Sequence, residues 1–223
     1  MGPRTNTAVK TTHLTRKLII DAALKLAEDS GVENLSIRKV ALRLGVTPMA
    51  LYKHFSSKEE LLSFTLEAFI ARANVIPDED LPWEDWVYHV GRRMYQALCT
   101  DYSWVRILGS VRVGAEAAEV TNAFVDKLSS VGFDTGQAVH AYFAVIQTVF
   151  GAVCLRASMS SKSGPKQDGD LSPATRAYLE RPDLHRLQVA PDLDRVAKME
   201  QIDIGLPMII ATLKSDLQRN AAH

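Results

Sequence analysis

The sequence predicts an all-α protein, with a three-helix helix-turn-helix domain at the N-terminus and a larger helical domain after it. Three observations predict this fold. Apolar residues recur at helical spacing along most of the chain, and strand-like alternation between Asn-Gly or Asp-Gly turns is absent. Capping residues delimit two short helices between residues 36 and 54.

The charge distribution separates the first part of the chain from the rest. The 223 residues carry 26 basic and 26 acidic side chains, so the net charge is zero. Residues 1–62 nevertheless hold ten Lys and Arg against six Asp and Glu, whereas residues 63–223 hold sixteen against twenty. A basic head on an acidic body is typical of a chain whose head binds nucleic acid. The average composition excludes a disordered, collagen-like or disulfide-scaffold chain, and Cys99 and Cys154 are predicted to be buried, reduced thiols.

Ten helices are predicted along the chain. Their approximate ranges are 15–30, 36–44, 47–54, 57–76, 83–99, 101–110, 114–131, 134–158, 173–180 and 193–220. A stretch at 77–82 that begins and ends with proline interrupts the pattern, and residues 158–173, rich in Ser and Gly, are predicted to form a loop. We therefore expect a flexible basic arm at 1–13, a helix-turn-helix domain at 14–62 and a second domain at 63–223.

Local chemistry delimits the two short helices of the first domain. Ser36 can cap the first helix, and Gly45 supplies the left-handed residue that ends it. Thr47 can cap the second helix, and Pro48 lies in its first turn, where the missing N–H costs nothing. An ordinary helical hairpin is the alternative, but helices of two turns bury little surface and are rarely independent. The pattern favours a helix-turn-helix, whose second helix lies in the major groove of DNA.

The polar and exposed positions around the second short helix suit a DNA backbone and base edges. Lysine and arginine neutralise phosphates, tyrosine hydroxyls donate to them, and the short apolar side chains of Met49 and Ala50 can contact thymine methyl groups. A solvated charge without a role is the alternative for each basic side chain. The predicted DNA-contacting residues are Arg38, Thr47, Met49, Ala50, Tyr52, Lys53, His54 and Lys58.

Residues 35–62 resemble the DNA-binding domain of TetR-family transcriptional regulators. The resemblance rests on the Gly-Val turn at 45–46, the Leu-Tyr-x-His-Phe sequence at 51–55 and the Lys-x-x-Leu-Leu sequence at 58–62, and it extends over about residues 14–65. It implies a homodimer that represses transcription and is released from DNA by a small ligand. It also implies that the recognition helix faces DNA and that Lys58 touches a phosphate. Pro48 and Met49 depart from the polar residues that the tetracycline-repressor branch carries there.

The second domain contains a long uncharged segment. Residues 135–155 carry no formally charged side chain, a length that could span a membrane, but they include Gln137 and His140 and no cluster of Lys or Arg flanks them. We therefore predict a helix buried on several sides rather than a membrane span. The second domain also resembles the tetracycline-repressor branch, which implies that helices at about 134–158 and 193–220 pair with their symmetry mates in a homodimer.

Large apolar side chains with a few polar ones are expected to enclose a cavity for a small, mostly apolar effector. Plain hydrophobic core is the alternative for each of them. The predicted ligand-contacting residues are Trp86, Val90, Met94, Trp104, Phe124, His140, Phe143 and Gln147. Relative to the tetracycline-repressor branch, Val90, Met94 and Gln147 stand where polar or metal-binding ligands occur, so a metal-chelated ligand is not expected.

An enzyme is disfavoured, because no nucleotide-binding, nucleophile-elbow or metalloprotease motif occurs and the six histidines are scattered. No cofactor and no metal are expected. The sequence thus predicts a cytoplasmic, ligand-responsive transcriptional repressor that binds a palindromic operator as a homodimer. A DNA-binding regulator or activator without a small-molecule effector is the alternative.

Overall fold

The computed structural model describes residues 13–77, 80–108, 112, 114–159, 177–178, 180–181 and 199–220. Within these ranges the chain is helical and contains no strand. The helices are α1 (Arg16–Ser30), α2 (Ile37–Leu44), α3 (Pro48–Tyr52), α4 (Lys58–Ala73), α5 (Trp83–Thr100), α6 (Ser103–Leu108), α7 (Ala115–Ser129), α8 (Thr135–Met159) and α9 (Ile202–Asn220), with a 3-10 turn at Val32–Asn34. Several predicted segments lie outside the described residues: residues 1–12 of the predicted arm at 1–13, the predicted loop at 158–173 after Met159, most of the predicted helix at 173–180 and the start of the one at 193–220.

Side-chain caps begin the first four helices, and the predicted caps at Ser36 and Thr47 are confirmed. Ser36 accepts a hydrogen bond from the backbone N–H of Lys39 at 3.3 Å, and Thr47 accepts one from Ala50 at 3.3 Å. Gly45 ends α2 in the left-handed region, with φ of 66°. A side chain at this φ is strained, which is why glycine suits the turn between α2 and α3.

Helices α1, α2 and α3 and the first turn of α4 form the head of the protein, and they enclose a small core of their own. It consists of Ile19, Ala23, Leu35, Ile37, Val40, Ala41, Leu51, Phe55 and Leu61. Arg16 closes this core on one side, since its guanidinium lies over the rings of Phe55 and Phe64, 4.7 and 4.1 Å from their centroids, and pairs with Glu60. The contact fixes the start of α4 against α1.

Helix α4 joins the head to the body. Leu61 belongs to the head core, whereas Leu62 and Leu66 belong to the larger core of the body. The helix ends at Ala73, three residues before the predicted end, because Asn74 adopts the left-handed conformation with φ of 43°. Asparagine is one of the few residues other than glycine that tolerates this region.

The body is built around α8, which packs against α5, α7 and α9. Glycines allow the closest approaches: a methyl group at Gly91 would meet Leu206 at 2.8 Å, and one at Gly205 would overlap Thr148. Two ion pairs, Arg92 with Asp203 and Arg156 with Glu200, hold the start of α9 against α5 and α8.

The structure tests the predicted burial of the apolar segment at 135–155 and of the two cysteines. Helix α8 is long and apolar enough to cross a membrane, but it is a core helix of the body. Cys99 is partly buried, and burial raises the pKa of its thiol to about 11. The prediction of burial is wrong for Cys154, which is exposed, because it lies on the outer face of α8.

Candidate DNA-binding surface and effector cavity

The predicted DNA-contacting residues form one stretch of surface from α2 through α3 to the start of α4. Six of them are exposed and two are half-buried. The exposed ones are Arg38, Thr47, Met49, Tyr52, Lys53 and Lys58, and the half-buried ones are Ala50 and His54. Met49 is 69% exposed although it is apolar. A side chain of this type, held out in water, suits a surface that a partner covers.

Ion pairing in the head leaves positive charge on this surface. Arg16, Arg43 and Arg72 pair with Glu60, Asp29 and Glu28, respectively. Among the described residues, Arg38, Lys39, Lys53 and Lys58 form no ion pair. Thr47 accepts the capping hydrogen bond from Ala50 and keeps its hydroxyl hydrogen to donate. The surface therefore offers unpaired cations and a hydroxyl donor, the groups that bind phosphate.

Leu42 is an exposed apolar residue on the same face of the head that sequence reasoning did not single out. It lies on α2, four residues after Arg38, and is 82% exposed. Its position follows from the helical wheel, since Val40, Ala41 and Leu44 turn inward.

The body contains a cavity of about 450 Å³ between α4, α5, α7 and α8. Its lining is apolar and rich in aromatic rings. The lining residues are Phe69, Ile70, Ala73, Val75, Met94, Ala97, Leu98, Leu108, Gly114, Ala117, Ala118, Val120, Thr121, Tyr142, Phe143, Ile146 and Phe150. None of these residues is charged, and only Thr121 and Tyr142 carry hydroxyl groups. Such a space suits an apolar molecule with few polar groups.

Two of the eight predicted ligand-contacting residues, Met94 and Phe143, line this cavity. The buried Trp86, Val90 and Phe124 pack behind the wall, with the Phe124 ring 5.7 Å from Trp86 and 5.4 Å from the lining residue Tyr142.

The other three predicted residues lie elsewhere. Trp104 is buried and stacks on Phe69, with the ring centroids 4.4 Å apart. His140 lies in a groove between α8 and α9, and Gln147 is exposed. Ligand contact by these eight side chains stays a prediction.

Sequence reasoning missed the cavity wall that α4 provides. Phe69, Ile70 and Ala73 recur at helical spacing after Leu66, a stripe that could have been recognised as a second apolar face of the joining helix.

Two hydroxyl groups line the cavity, that of Thr121 on α7 and that of Tyr142 on α8. Thr121 donates to the backbone oxygen of Ala117 at 2.9 Å, so its oxygen can accept a hydrogen bond. Burial raises the pKa of the Tyr142 phenol, with Thr121 offsetting part of the effect, so Tyr142 is a neutral hydrogen-bonding group at neutral pH. Within the described ranges, no group of three His, Cys, Asp or Glu side chains is arranged to hold a metal ion.

Besides α4 and the apolar contacts of Leu24, Ala27 and Val32, a side-chain hydrogen bond connects the body to the head. Asp101 accepts a hydrogen bond from the backbone N–H of Val32, in the turn between α1 and α2, at 3.1 Å. The same carboxylate accepts from the backbone N–H of Ser103 at 2.9 Å and so also starts α6. The Asp101 carboxylate therefore binds both the head and the start of α6.

Family models match both parts of this architecture. The model for bacterial regulatory proteins of the tetR family matches residues 19–63, and that for the tetracyclin repressor-like C-terminal domain matches residues 76–217. The chain belongs to the TetR family. It is therefore a helix-turn-helix, DNA-binding transcriptional regulator of a non-enzymatic family.

Individual TetR-family proteins resemble the chain along most of its length. The tetracycline repressor protein class A from transposon 1721 of Escherichia coli is 33% identical over 205 residues, which cover 89% of this chain and 90% of that protein. The similarity therefore extends over most of both chains.

Solved structures share the fold. ActR of Streptomyces coelicolor in complex with actinorhodin has a TM-score of 0.70 at 20% identity, covering 92% of this chain and 98% of ActR. BioQ with its double-stranded DNA operator has a TM-score of 0.54 at 23% identity, covering 82% of this chain and 99% of BioQ. The described part of the chain thus has the fold of these proteins.

Proposed function

We propose that this TetR-family protein is a ligand-gated repressor in the cytoplasm, which binds a palindromic operator as a homodimer and is released by a small, mostly apolar effector. The observation that carries the proposal is the 450 Å³ apolar cavity, because one of its walls is α4. The same helix continues into the head core through Leu61. A molecule in the cavity therefore contacts the element that sets the position of the DNA-binding surface.

The DNA-binding step uses the exposed surface of α2, α3 and the start of α4. Lys53 and Lys58 neutralise phosphates, and Tyr52 and Thr47 donate hydrogen bonds to them. Met49 lies where the recognition helix meets base edges and can contact thymine methyl groups. A second copy supplies the other half-site, since two-fold symmetry in the protein matches a palindrome in the DNA.

The homodimer is proposed to form through the outer faces of α8 and α9. Met208 is 68% exposed on α9, and it lines a groove with Phe133, Ala144, Ile209 and Leu213. Gly151 faces open space on the outer side of α8, where a neighbouring helix could approach closely. A second copy of the two helices would cover these apolar side chains as a four-helix bundle.

The effector is proposed to be uncharged and aromatic. The rings of Phe69, Tyr142, Phe143 and Phe150 surround the space, and no charged lining residue compensates a charge on the ligand. ActR, a protein of similar fold, has been solved in complex with the small molecule actinorhodin, which supports a small-molecule effector for this fold. Thr121 and Tyr142 offer hydrogen bonds to one polar group, such as a hydroxyl or a carbonyl.

The experiment uses the full chain with an operator selected from a random duplex library. The affinity of the protein for this operator is measured without any probe and then in the presence of phenanthrene, 9-hydroxyphenanthrene or phenanthrene-9-carboxylate. We expect the two neutral probes to weaken operator binding at least about tenfold, which corresponds to about 1.4 kcal/mol of coupling, and the carboxylate to have little effect.

Two variants test whether the cavity is the site of action. Ala97→Trp fills the cavity and should keep operator affinity while abolishing the response to the probes. Asn122→Trp places the same side chain at an exposed position of α7 that does not line the cavity, and should respond as the wild type does. If none of a wide panel of neutral arenes alters operator affinity, the proposed effector class is wrong and a regulator without a small-molecule effector is favoured.

A further inference from the structure

Glu67, on α4, caps the N-terminus of a different helix. Its carboxylate accepts a hydrogen bond from the backbone N–H of Gly114 at 2.8 Å and another from that of Glu116 at 2.7 Å. The N-cap residue of α7 is Gly114, which has no side chain to accept these bonds. One acidic side chain of α4 therefore satisfies two of the free amides of α7 and lies at the positive end of its dipole.

The residue at position 114 is matched to this contact. A methyl group on Gly114 would lie 2.8 Å from both the Cδ and the Oε2 atoms of Glu67, closer than real Cβ contacts come. The absence of a side chain at Gly114 is thus what lets the carboxylate reach both amides. The contact therefore needs both Glu67 on α4 and the glycine that precedes α7.

The turn that Glu67 holds is part of the cavity wall. Gly114, Ala117 and Ala118 line the cavity from α7, and Phe69 lines it from α4, two residues after Glu67. The two walls are thus joined by one carboxylate at the edge of the cavity. Apolar contacts such as the stack of Phe69 on Trp104 tolerate sliding, whereas hydrogen bonds to a charged group are directional and about twice as strong as neutral ones.

We infer that Glu67 is the positioning residue that couples the first turn of α7 to α4, so that occupation of the cavity lowers operator affinity through this carboxylate. The inference rests on the proposed function and adds the residue that carries the coupling. A ligand that displaces the α7 turn must either break both hydrogen bonds or pull α4 along with it. Because α4 begins in the head core, its movement changes the position of the DNA-binding surface.

The test separates coupling from the two binding events. For full-length wild type and Glu67→Gln, three quantities are measured: the dissociation constant of 9-hydroxyphenanthrene, that of the selected operator, and the factor by which saturating probe weakens operator binding. The glutamine side chain in Glu67→Gln has one carbonyl oxygen and one NH₂ group, so it can accept from only one of the two backbone amides and places an N–H group against the other. We expect both dissociation constants to stay within about threefold of wild type, while the coupling factor falls from tenfold or more to below about twofold.

Two further variants control for charge and for folding. Glu119→Gln removes the same charge from an exposed position on α7 and should keep the wild-type coupling factor. Gly114→Ala leaves Glu67 in place but displaces its carboxylate, and should lose coupling as Glu67→Gln does. Coupling that survives in both Glu67→Gln and Gly114→Ala overturns the inference, and so does a parallel loss of probe and operator affinity in both, which indicates a purely structural contact.

Hydrogen exchange of the ligand-free protein provides a readout that does not depend on any probe. Glu67→Gln should speed exchange in the first turn of α7 and also in residues 69–73 of α4. Faster exchange in α7 alone would overturn the inference, because no change would have reached α4. If neutral arenes fail to weaken operator binding by the wild type, the proposed function fails, and this exchange experiment still decides the role of Glu67.

Discussion

The head and the body of this protein acquire their functional surfaces in different ways. In the head, the proposed DNA-binding surface is what remains outside after three helices close a small core. The two short helices each begin at a side-chain cap that acts three residues along the sequence. In the body, the functional feature is an unfilled space between four helices. Its lining depends on which apolar faces meet across the fold. The comparison teaches that a surface can be predicted from local spacing, whereas a cavity depends on packing at long range.

The largest expected effect contrasts two phenylalanines of the body. Phe124→Ala should lower the free energy of unfolding by about 3–5 kcal/mol, because its fully buried ring packs between Trp86 and Tyr142. Phe143→Ala should lower it by less than about 1 kcal/mol, because Phe143 is half exposed at the cavity. Urea unfolding at one fixed protein concentration measures both. Equal losses would mean that Phe143 is packed as core and that the cavity is closed there.

The next effect concerns the outer face of the body. Met208→Glu should raise the dissociation constant of the dimer at least about 100-fold, which corresponds to about 2.7 kcal/mol, because the interface would bury an unpaired charge. Positions such as Val149 would not test this, since Val149 is fully buried within the protomer.

Sedimentation velocity at several concentrations measures the dissociation constant. Gln218→Glu is the matched control. It lies one turn after Lys214, which pairs with Glu84 of α5 and so faces away from the groove. A wild-type chain that is monomeric at micromolar concentration, or a Met208→Glu variant that dimerises as the wild type does, would contradict the proposed interface.

A smaller effect is expected at the surface of the head. Lys58→Ala should weaken operator binding by about 1 kcal/mol on specific and unrelated duplexes alike, and it should reduce the slope of log affinity against log salt by about one. Lys25→Ala is the control, since Lys25 lies on α1 and pairs with Glu28. Fluorescence anisotropy across a salt series gives both quantities. An unchanged salt slope in Lys58→Ala would remove this lysine from the phosphate contacts.

The smallest effect is the acid sensitivity of the junction between α3 and α4. The side-chain hydroxyl and the backbone N–H of Ser56 both donate to Glu60, at 2.7 and 2.6 Å, and with Arg16 they hold the pKa of Glu60 below its usual range. A lowered pKa in the folded state stabilises the fold above the unfolded value near 4.3, and the contribution is lost as the pH falls through the folded pKa. Glu60→Gln should therefore be slightly less stable than wild type at pH 7 and should show a smaller decrease between about pH 5 and 3. Thermal unfolding as a function of pH checks this, and parallel profiles would exclude the contribution.

The bounds of α2 and α3 could be predicted from the sequence to within two residues, because Ser36, Gly45 and Thr47 act on neighbours three or four residues away. The end of α4 was less predictable. Asn74 stops the helix, although its side chain gives a weaker signal than glycine. The opposed walls of the cavity could not be predicted, since Phe69 and Phe143 are far apart in sequence and nothing local indicates that they share a space.

Among the body residues, Trp86 and Phe124 show why apolar character alone is ambiguous. Both have the side chains that ligand cavities use, yet they fill the space behind the wall, and the sequence does not distinguish the first layer from the second. The hydrogen bonds from the start of α7 to Glu67 could not be predicted either, because the sequence around Glu67 does not indicate which distant backbone amides its carboxylate accepts from.

The arrangement of the two cores has a consequence for how such proteins can exchange their DNA-reading parts. Leu24, Ala27 and Val32 are encoded within the head segment, but they pack into the core of the body, while the neighbours Leu61 and Leu62 point into different cores. A head transplanted from another regulator would have to bring apolar residues of matching size at these three positions. Recombination that cuts the gene between the codons of Leu61 and Leu62 would leave each half with an exposed apolar surface. A cut in the stretch after Ala73 keeps α4 whole, but the transplanted head must then also match Leu62, Leu66 and the cavity-lining face of α4 to the body.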